Sequence, residues 1–230
     1  MRMDGNTILI TGGATGIGYS MAKYFYERGN TLILCGRREN KLAQAAEDMP
    51  GVSIFRCDAA DPRERRALFQ YVRERFPDIN ILVNNAGIQR DIDLTKGLSD
   101  LERGEDEIQI NLEAPVVLSA LFTPLLAGKD NAAIVNVSSG LAFMVERAAR
   151  APLYCAAKAG VHAFSIAQRI QLRSLGIRVV ELIPPMVESE LNPESRAKRG
   201  AAASAHMMPA DEYVEKALAK MEQDVDEIRV

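Results

Sequence analysis

Tryptophan is absent from this chain, and histidine occurs only at His162 and His206. Two histidines so far apart, with no metal-like cysteine spacing beside them, give no reason to expect a metal site. The three cysteines, Cys35, Cys57 and Cys155, are odd in number and widely separated. They read as reduced, small apolar residues of a cytosolic protein rather than as a disulfide framework. Surplus positive charge is lacking too, since 28 basic and 31 acidic residues leave a net charge of −3. Non-specific binding to nucleic acid needs a concentrated positive surface, so no nucleic-acid partner is expected. No stretch approaches about 18 continuous apolar residues and no signal-peptide core is seen, so the expectation is no membrane span and a cytoplasmic location. A G-x-S-x-G elbow and a P-loop lysine are missing as well, which removes two common catalytic designs.

Neither an internal repeat nor a long linker divides the chain, and 47% of it is apolar, enough for one large core. Residues 1–230 are therefore expected to form a single domain. Apolar, strand-forming runs at Thr7–Ile10, Asn30–Cys35, Val52–Cys57, Ile79–Val83, Ala132–Val137 and Ile177–Ile183 alternate with helical stretches. Those stretches are Tyr19–Arg28, Glu39–Asp48, Arg63–Phe76 (with Pro62 in its first turn), Glu105–Ala127, Leu153–Leu175 and Asp211–Gln223. Glu227–Val230 begins a last, very short strand. This alternation predicts an α/β doubly wound fold, a mostly parallel sheet of about six to seven strands with helices on both faces. Residues 190–208, rich in Ala, Ser, Lys and Arg, have no apolar periodicity and follow a strand end. They read equally as a mobile segment covering a site or as a plain surface loop.

Between the first strand and the first helix lies Thr11-Gly12-Gly13-Ala14-Thr15-Gly16-Ile17-Gly18. A tight turn, a close backbone approach to a pyrophosphate and a helix N-terminus aimed at the anion are what hold a dinucleotide. The spacing is G-x-x-x-G-x-G, and as a lone pattern it also suits a turn that binds nothing. The second strand ends in Gly36-Arg37-Arg38, with no acid until Glu39. An NAD-binding fold places Asp or Glu here for the ribose hydroxyl, whereas forked guanidinium donors suit the 2′-phosphate of NADP. The cofactor expected is NADP(H) in preference to NAD(H); the bland alternative is a solvated Arg pair at a helix start.

Tyr154 and Lys158 stand four residues apart on one helix face, shortly after the strand end Ser138-Ser139. An ammonium near a phenol lowers its pKa from about 10 and makes it a usable acid/base. Carbonyl reduction needs such a group, because hydride delivery to carbon leaves an oxygen to be protonated. Tyr19 and Lys23 share the spacing without the serines and read as a helix-surface pair, and His162 as a packed or solvated helix residue. A substrate pocket is expected from 90–97, 140–152 and 185–208. Leu141, Phe143, Met144 and Met186 are candidate apolar lining, and Arg147 and Arg150 either meet an acidic substrate or face water.

Together these motifs, with Asp58, Asn84-Asn85-Ala86-Gly87 and Asn111, resemble the short-chain dehydrogenase/reductase family in order and approximate spacing over nearly the whole chain. The runs Ile134–Phe143 and Glu181–Leu191 look like its DltE-like bacterial subgroup. The resemblance implies a Rossmann fold and roles by position. Tyr154 is the proton donor or acceptor, and Lys158 tunes it and bonds the nicotinamide ribose. Ser139 orients the substrate oxygen, with Ser138 as a weaker candidate, and Asn111 holds a relay water. Gly12, Thr15, Ile17 and Gly18 line the pyrophosphate, and Arg37 and Arg38 take the 2′-phosphate. Asp58 meets the adenine, Asn85, Ala86 and Gly87 flank its ribose, and Val187 and Ser189 contact the nicotinamide amide. The implied activity is NADP(H)-dependent interconversion of a small-molecule carbonyl and alcohol, by a homodimer or homotetramer. A cofactor-binding sensor or scaffold is the rival reading; a second rival is an isomerase or dehydratase on this fold, whose members tend to be longer, with an added substrate domain for which this chain is expected to have no room. The chain departs from the family in a Ser139–Tyr154 gap two residues longer than usual, in Pro185 for glycine, in Ser189 for threonine and in a short last strand.

Overall fold

The structure, a computed structural model, describes residues 1–101, 107–191 and 207–230. Most of the 190–208 segment, including His206, therefore lies outside the described residues, as does the start of the helical stretch expected from Glu105. Among the described residues seven strands form one sheet: β1 (Thr7–Thr11), β2 (Thr31–Gly36), β3 (Ser53–Arg56), β4 (Ile81–Asn84), β5 (Ala133–Val137), β6 (Arg178–Ile183) and β7 (Glu227–Arg229). Their order is β3-β2-β1-β4-β5-β6-β7, and every pairing is parallel. This is the doubly wound Rossmann arrangement, with the strand order reversing beside β1.

Alternate residues of the strands enter opposite cores, as the two-residue period of a strand requires. Ile8, Ile10, Leu32, Leu34, Ile81, Val83 and Val135 pack on one face with α1 (Gly16–Tyr26), α2 (Glu39–Asp48) and α6 (Ala210–Glu222). Leu9, Ile33, Leu82 and Ile134 pack on the other with α3 (Pro62–Arg75) and α4 (Ala114–Leu126). Helix α5 (Pro152–Leu172) lies against β6 and β5. The short last strand forms: Leu182 pairs with Ile228, which is fully buried.

The stretch Gln109–Leu126 has a mean hydropathy of 1.3 over 18 residues, long and apolar enough by composition to cross a bilayer. Its apolar residues have another partner here. Leu118, Phe122 and Leu126 are buried in the core of the second face, and the helix connects β4 to β5 as a parallel crossover must.

Within this stretch Gln109–Glu113 form a π-helical turn, in which the Ala114 N–H reaches Gln109 O five residues back. Pro115 supplies the reason. It has no N–H to give to the carbonyl of Asn111, so the four-residue ladder fails at that point.

Candidate active site

The carboxyl ends of β1 and β4 meet where the strand order reverses, and the chain is tied there from both sides. Thr11 Oγ1 donates to Val83 O (3.2 Å) and accepts from the N–H groups of Asn85 (2.9 Å) and Ala86 (3.0 Å). Asn85 Nδ2 donates to Thr11 O (3.0 Å) and Gly12 O (3.2 Å). The side chain expected to flank a ribose is thus committed to the glycine turn. Gly12 has φ +63°, and a Cβ there would stand 2.9 Å from Ala86 Cα. Helix α1 then starts with Thr15 as an extended N-cap that makes no side-chain cap bond, and with no acid in its first turn. A helix N-terminus left in this state favours an anion.

A cleft of about 1370 Å³ opens over these strand ends. Gly12, Thr15, Ile17, Arg37, Arg38, Asp58, Asn85, Ala86, Gly87, Ser139, Tyr154, Lys158, Val187 and Ser189, all expected site residues, line it. Gly18 and Asn111 lie behind its walls. Asp58 Oδ1 accepts from Ala60 N (2.9 Å), which holds the carboxylate at the end of β3. Arg38 is differently placed from the expectation of an open phosphate ligand. It donates to Glu190 and, through Nη2, to Thr15 Oγ1 (2.9 Å). Of residues 90–97 only Arg90 lines the cleft, and Phe143 turns away to pack on His162 at 4.6 Å between ring centroids. Leu141, Met144, Met186 and Arg150 do line it, the last also donating to Asp91 (2.7 Å).

Helix α5 is set against the sheet by a buried amide ladder. Asn84 Nδ2 donates to Asn136 Oδ1 (2.9 Å), and Asn136 Nδ2 donates to Ser165 Oγ (3.0 Å) and Gln168 Oε1 (2.9 Å). The same helix carries Tyr154 and Lys158, both nearly fully buried. Ser139 caps the short 3₁₀ turn Gly140–Ala142, its Oγ accepting from Leu141 N (3.2 Å), and hydrogen-bonds Tyr154. Lys158 Nζ donates to Val137 O (2.7 Å), and it lies beside Gly87, where an added Cβ would be 3.7 Å from it. Asn111 Oδ1 accepts from Ile88 N (3.0 Å) and its Nδ2 donates to Ile88 O (2.7 Å). These bonds leave one amide N–H and one lone pair for the water expected there.

The electrostatics reverse one expectation. Burial pushes Tyr154 up to about 12, against a downward pull from the Ser139 hydrogen bond. Lys158 is itself brought down to about 8 by burial, and its Nζ stands 5.8 Å from the Tyr154 ring centroid. Desolvation of the phenolate dominates in this state, with Cys155 and Glu107 adding to the rise. Tyr154 is therefore a neutral phenol at physiological pH, charged with a proton to give.

Ser138 is separated from Ser139 by the pleat of the strand end. Its Oγ donates to Oε1 of the fully buried Glu181 (2.5 Å), while the residue itself also borders the cleft. Glu181 Oε2 also bonds His162 Nδ1 (2.8 Å), and β6 pairs Glu181 directly with Glu227 of β7. His162, Glu181 and Glu227 bring ligand atoms within 4.8 Å of one another, so His162 joins a cluster that its sequence neighbours do not reveal. Its carboxylate at Glu181 is already engaged by the serine and the histidine. Glu107, fully buried, is another residue missed from the sequence. Its Oε1 accepts from Arg90 N (3.1 Å), and its charge adds to the upward shift of Tyr154. Tyr19, by contrast, ignores Lys23 and bonds Asp48 on α2 (2.9 Å).

The family profile described as short chain dehydrogenase matches residues 6–200. The chain belongs to the short-chain dehydrogenase family. It is similar to an uncharacterized oxidoreductase, DltE, of Bacillus subtilis (strain 168), at 46% identity over 99% of this chain and 89% of that protein. A short-chain dehydrogenase from Sphingobium yanoikuyae, solved in complex with NADPH, superposes with a TM-score of 0.83 at 28% identity, covering 96% of this chain and 86% of that one. A family member from Burkholderia phymatum, solved with NAD, shares the fold with a TM-score of 0.85 at 21% identity, over 99% and 89% of the two chains. As a short-chain dehydrogenase the protein is an oxidoreductase, and its serine, tyrosine and lysine meet in one cleft despite the long Ser139–Tyr154 interval. The short turns Gly140–Ala142 and Val145–Arg150 absorb that interval before α5 begins.

Proposed function

We propose that the protein is an NADP(H)-dependent oxidoreductase interconverting a carbonyl and an alcohol, with Tyr154 as the general acid/base. The observation that carries this reading is the Ser139–Tyr154 hydroxyl pair, with the Lys158 ammonium behind it, facing a cleft whose other end is an uncapped helix N-terminus and a pair of arginines. A nicotinamide dinucleotide fits this donor set: α1 and the glycine turn for the pyrophosphate, Arg37 and Arg38 for a 2′-phosphate, Lys158 for the nicotinamide ribose. When bound, it supplies or accepts the hydride. Ser139 Oγ holds the substrate oxygen, and Tyr154 Oη gives that oxygen its proton as charge develops on it. Lys158 then faces a phenolate, and its positive charge stabilises that product of the transfer. The Sphingobium relative solved with NADPH supports the cofactor assignment; the arginine pair is this chain's own support for it.

The test is titration with NADPH and NADH side by side, following nucleotide fluorescence, which the absence of tryptophan keeps free of strong protein emission. NADPH is expected to bind at least tenfold more tightly, and Arg37→Ala to remove most of that margin. Tighter NADH binding would overturn the cofactor choice and leave the fold's enzyme class standing.

A pH dependence follows from Lys158. Because burial places its pKa at about 8, the ammonium is present below that pH and lost above it. Tyr154, at about 12, keeps its proton throughout this range. The reductive kcat/KM is expected to be level below pH 8 and to fall towards tenfold per unit above it. A profile level to pH 10 would show that the ammonium is not required.

A further inference from the structure

Three consecutive residues after β6 reach three different parts of the cleft. Ser189 lies over the start of α1, so close that a Cβ on Gly16 would be 3.1 Å from its own Cβ. Leu191 packs on the Ala151, Tyr154 and Cys155 group, and its carbonyl accepts from Gln89 N (3.3 Å). Between them, Glu190 crosses to the end of β2 and to α2. Its Oε2 is 2.5 Å from Arg38 Nη1 and its Oε1 is 3.3 Å from Lys41 Nζ. The second face of the Arg38 guanidinium is bonded to Thr15 of the glycine turn. A carboxylate thus stands, with both oxygens used, on two of the three cations at the adenosine end of the cleft, Arg37 being the third.

We propose that Glu190 is a specificity-determining residue, an internal anion that occupies the 2′-phosphate position on Arg38 and Lys41 and must be displaced by a cofactor carrying that phosphate. The inference rests on the reading that this cleft binds a nicotinamide dinucleotide. Displacement is feasible on physical grounds. Glu190 and Arg38 are 43% and 52% exposed at the side chain, and ion pairs at such sites are weakly held. A 2′-phosphate brings more charge and more acceptor oxygens to the same donors than one carboxylate does. A cofactor with a bare ribose hydroxyl leaves the pair intact. Glu190 therefore lowers affinity for the phosphorylated cofactor alone and narrows the margin that the arginines would otherwise set. The same contacts with Arg38 and Lys41 draw the Glu190 pKa below the usual carboxylate range.

Calorimetric titration with 2′,5′-ADP and with 5′-AMP tests this, because the two share the adenosine and differ in the 2′-phosphate. Glu190→Gln, an exposed and nearly isosteric change, is expected to tighten 2′,5′-ADP about three- to tenfold and to leave 5′-AMP within about twofold. Arg38→Ala is expected to weaken 2′,5′-ADP and to cancel the gain in the double variant. Equal tightening of both nucleotides would overturn the proposal, since it would mean that Glu190 merely closes the cleft mouth. Unchanged 2′,5′-ADP binding in Glu190→Gln, with Arg38→Ala still weakening it, would overturn the proposal and leave the cofactor reading intact. Failure of both nucleotides to bind any variant would overturn both.

Discussion

Tyr154→Phe is expected to reduce turnover of a carbonyl substrate by about 10²- to 10⁴-fold while NADPH affinity stays within about twofold. The ring occupies the same buried volume in both proteins, so the variant loses one hydroxyl and little else. In the proposed mechanism that hydroxyl is the proton source for the substrate oxygen, and burial keeps the proton on it at any working pH. Positioned acids are worth a factor of this size, about 3–5 kcal/mol of barrier at about 1.4 kcal/mol per decade. The Ser139 hydroxyl remains to bind substrate, so the loss is expected in kcat more than in KM. The measurement is steady-state NADPH oxidation with a carbonyl found by screening the wild type, together with a fluorescence titration of NADPH. A variant that keeps more than a tenth of wild-type turnover would remove Tyr154 from the proton-transfer role.

The second large effect is expected at Gly18. Its φ lies outside the left-handed region, so alanine suits its backbone and the objection is purely steric. An added Cβ would stand 2.2 Å from Gly12 O and 2.5 Å from Asn85 Nδ2. Gly12 cannot retreat, because its N–H is bonded to Cys35 O (2.8 Å) and its carbonyl to Asn85. Relief requires the turn and the helix to part, with a stability loss on the order of 1–3 kcal/mol. For a domain of this size that corresponds to about 2–12 °C in Tm. NADPH affinity is expected to fall more than tenfold, since the displaced atoms are those that shape the turn. Gly29→Ala is the control: φ is +71° there, but nothing lies within 4 Å of the added carbon. It should lose stability through backbone strain and keep NADPH affinity. Equal NADPH binding by Gly18→Ala would mean that the turn does not hold the cofactor.

What can be read from the chain without its structure is what short-range geometry determines. The glycine turn, the arginines after β2, the serines after β5 and the four-residue interval from Tyr154 to Lys158 all report on themselves, because strand ends and helix faces follow from local pattern. The choice between Ser138 and Ser139 needs more. It depends on which of the two points at Glu181, a residue on another strand. Glu107, His162 with Glu181 and Glu227, and Glu190 on Arg38 are likewise products of tertiary closure, and no sequence interval announces them. The expected lowering of the Tyr154 pKa is reversed for a different reason: spacing shows the ammonium nearby but not how thoroughly water is removed. One local signal was available and easily passed over. Pro115, four residues after Asn111, marks the π turn that presents Asn111 to Ile88.

The amide ladder from Asn84 through Asn136 to Ser165 and Gln168 has a value best seen in the alignments it forbids. Four apolar residues of matching size would hold α5 to the sheet as firmly, and would do so almost equally well one step to either side. An amide permits no such tolerance. Sliding β5 by one residue places Val135 or Val137 opposite Asn84, turns Asn136 to the other core and strands both side chains among hydrocarbon, at about 1–3 kcal/mol for each orphaned group. Near-native competitors are thereby raised in energy while the native arrangement gains little. The distance from Ser139, at the end of β5, to Tyr154, on α5, is thus guarded by a proofreading device located away from both residues.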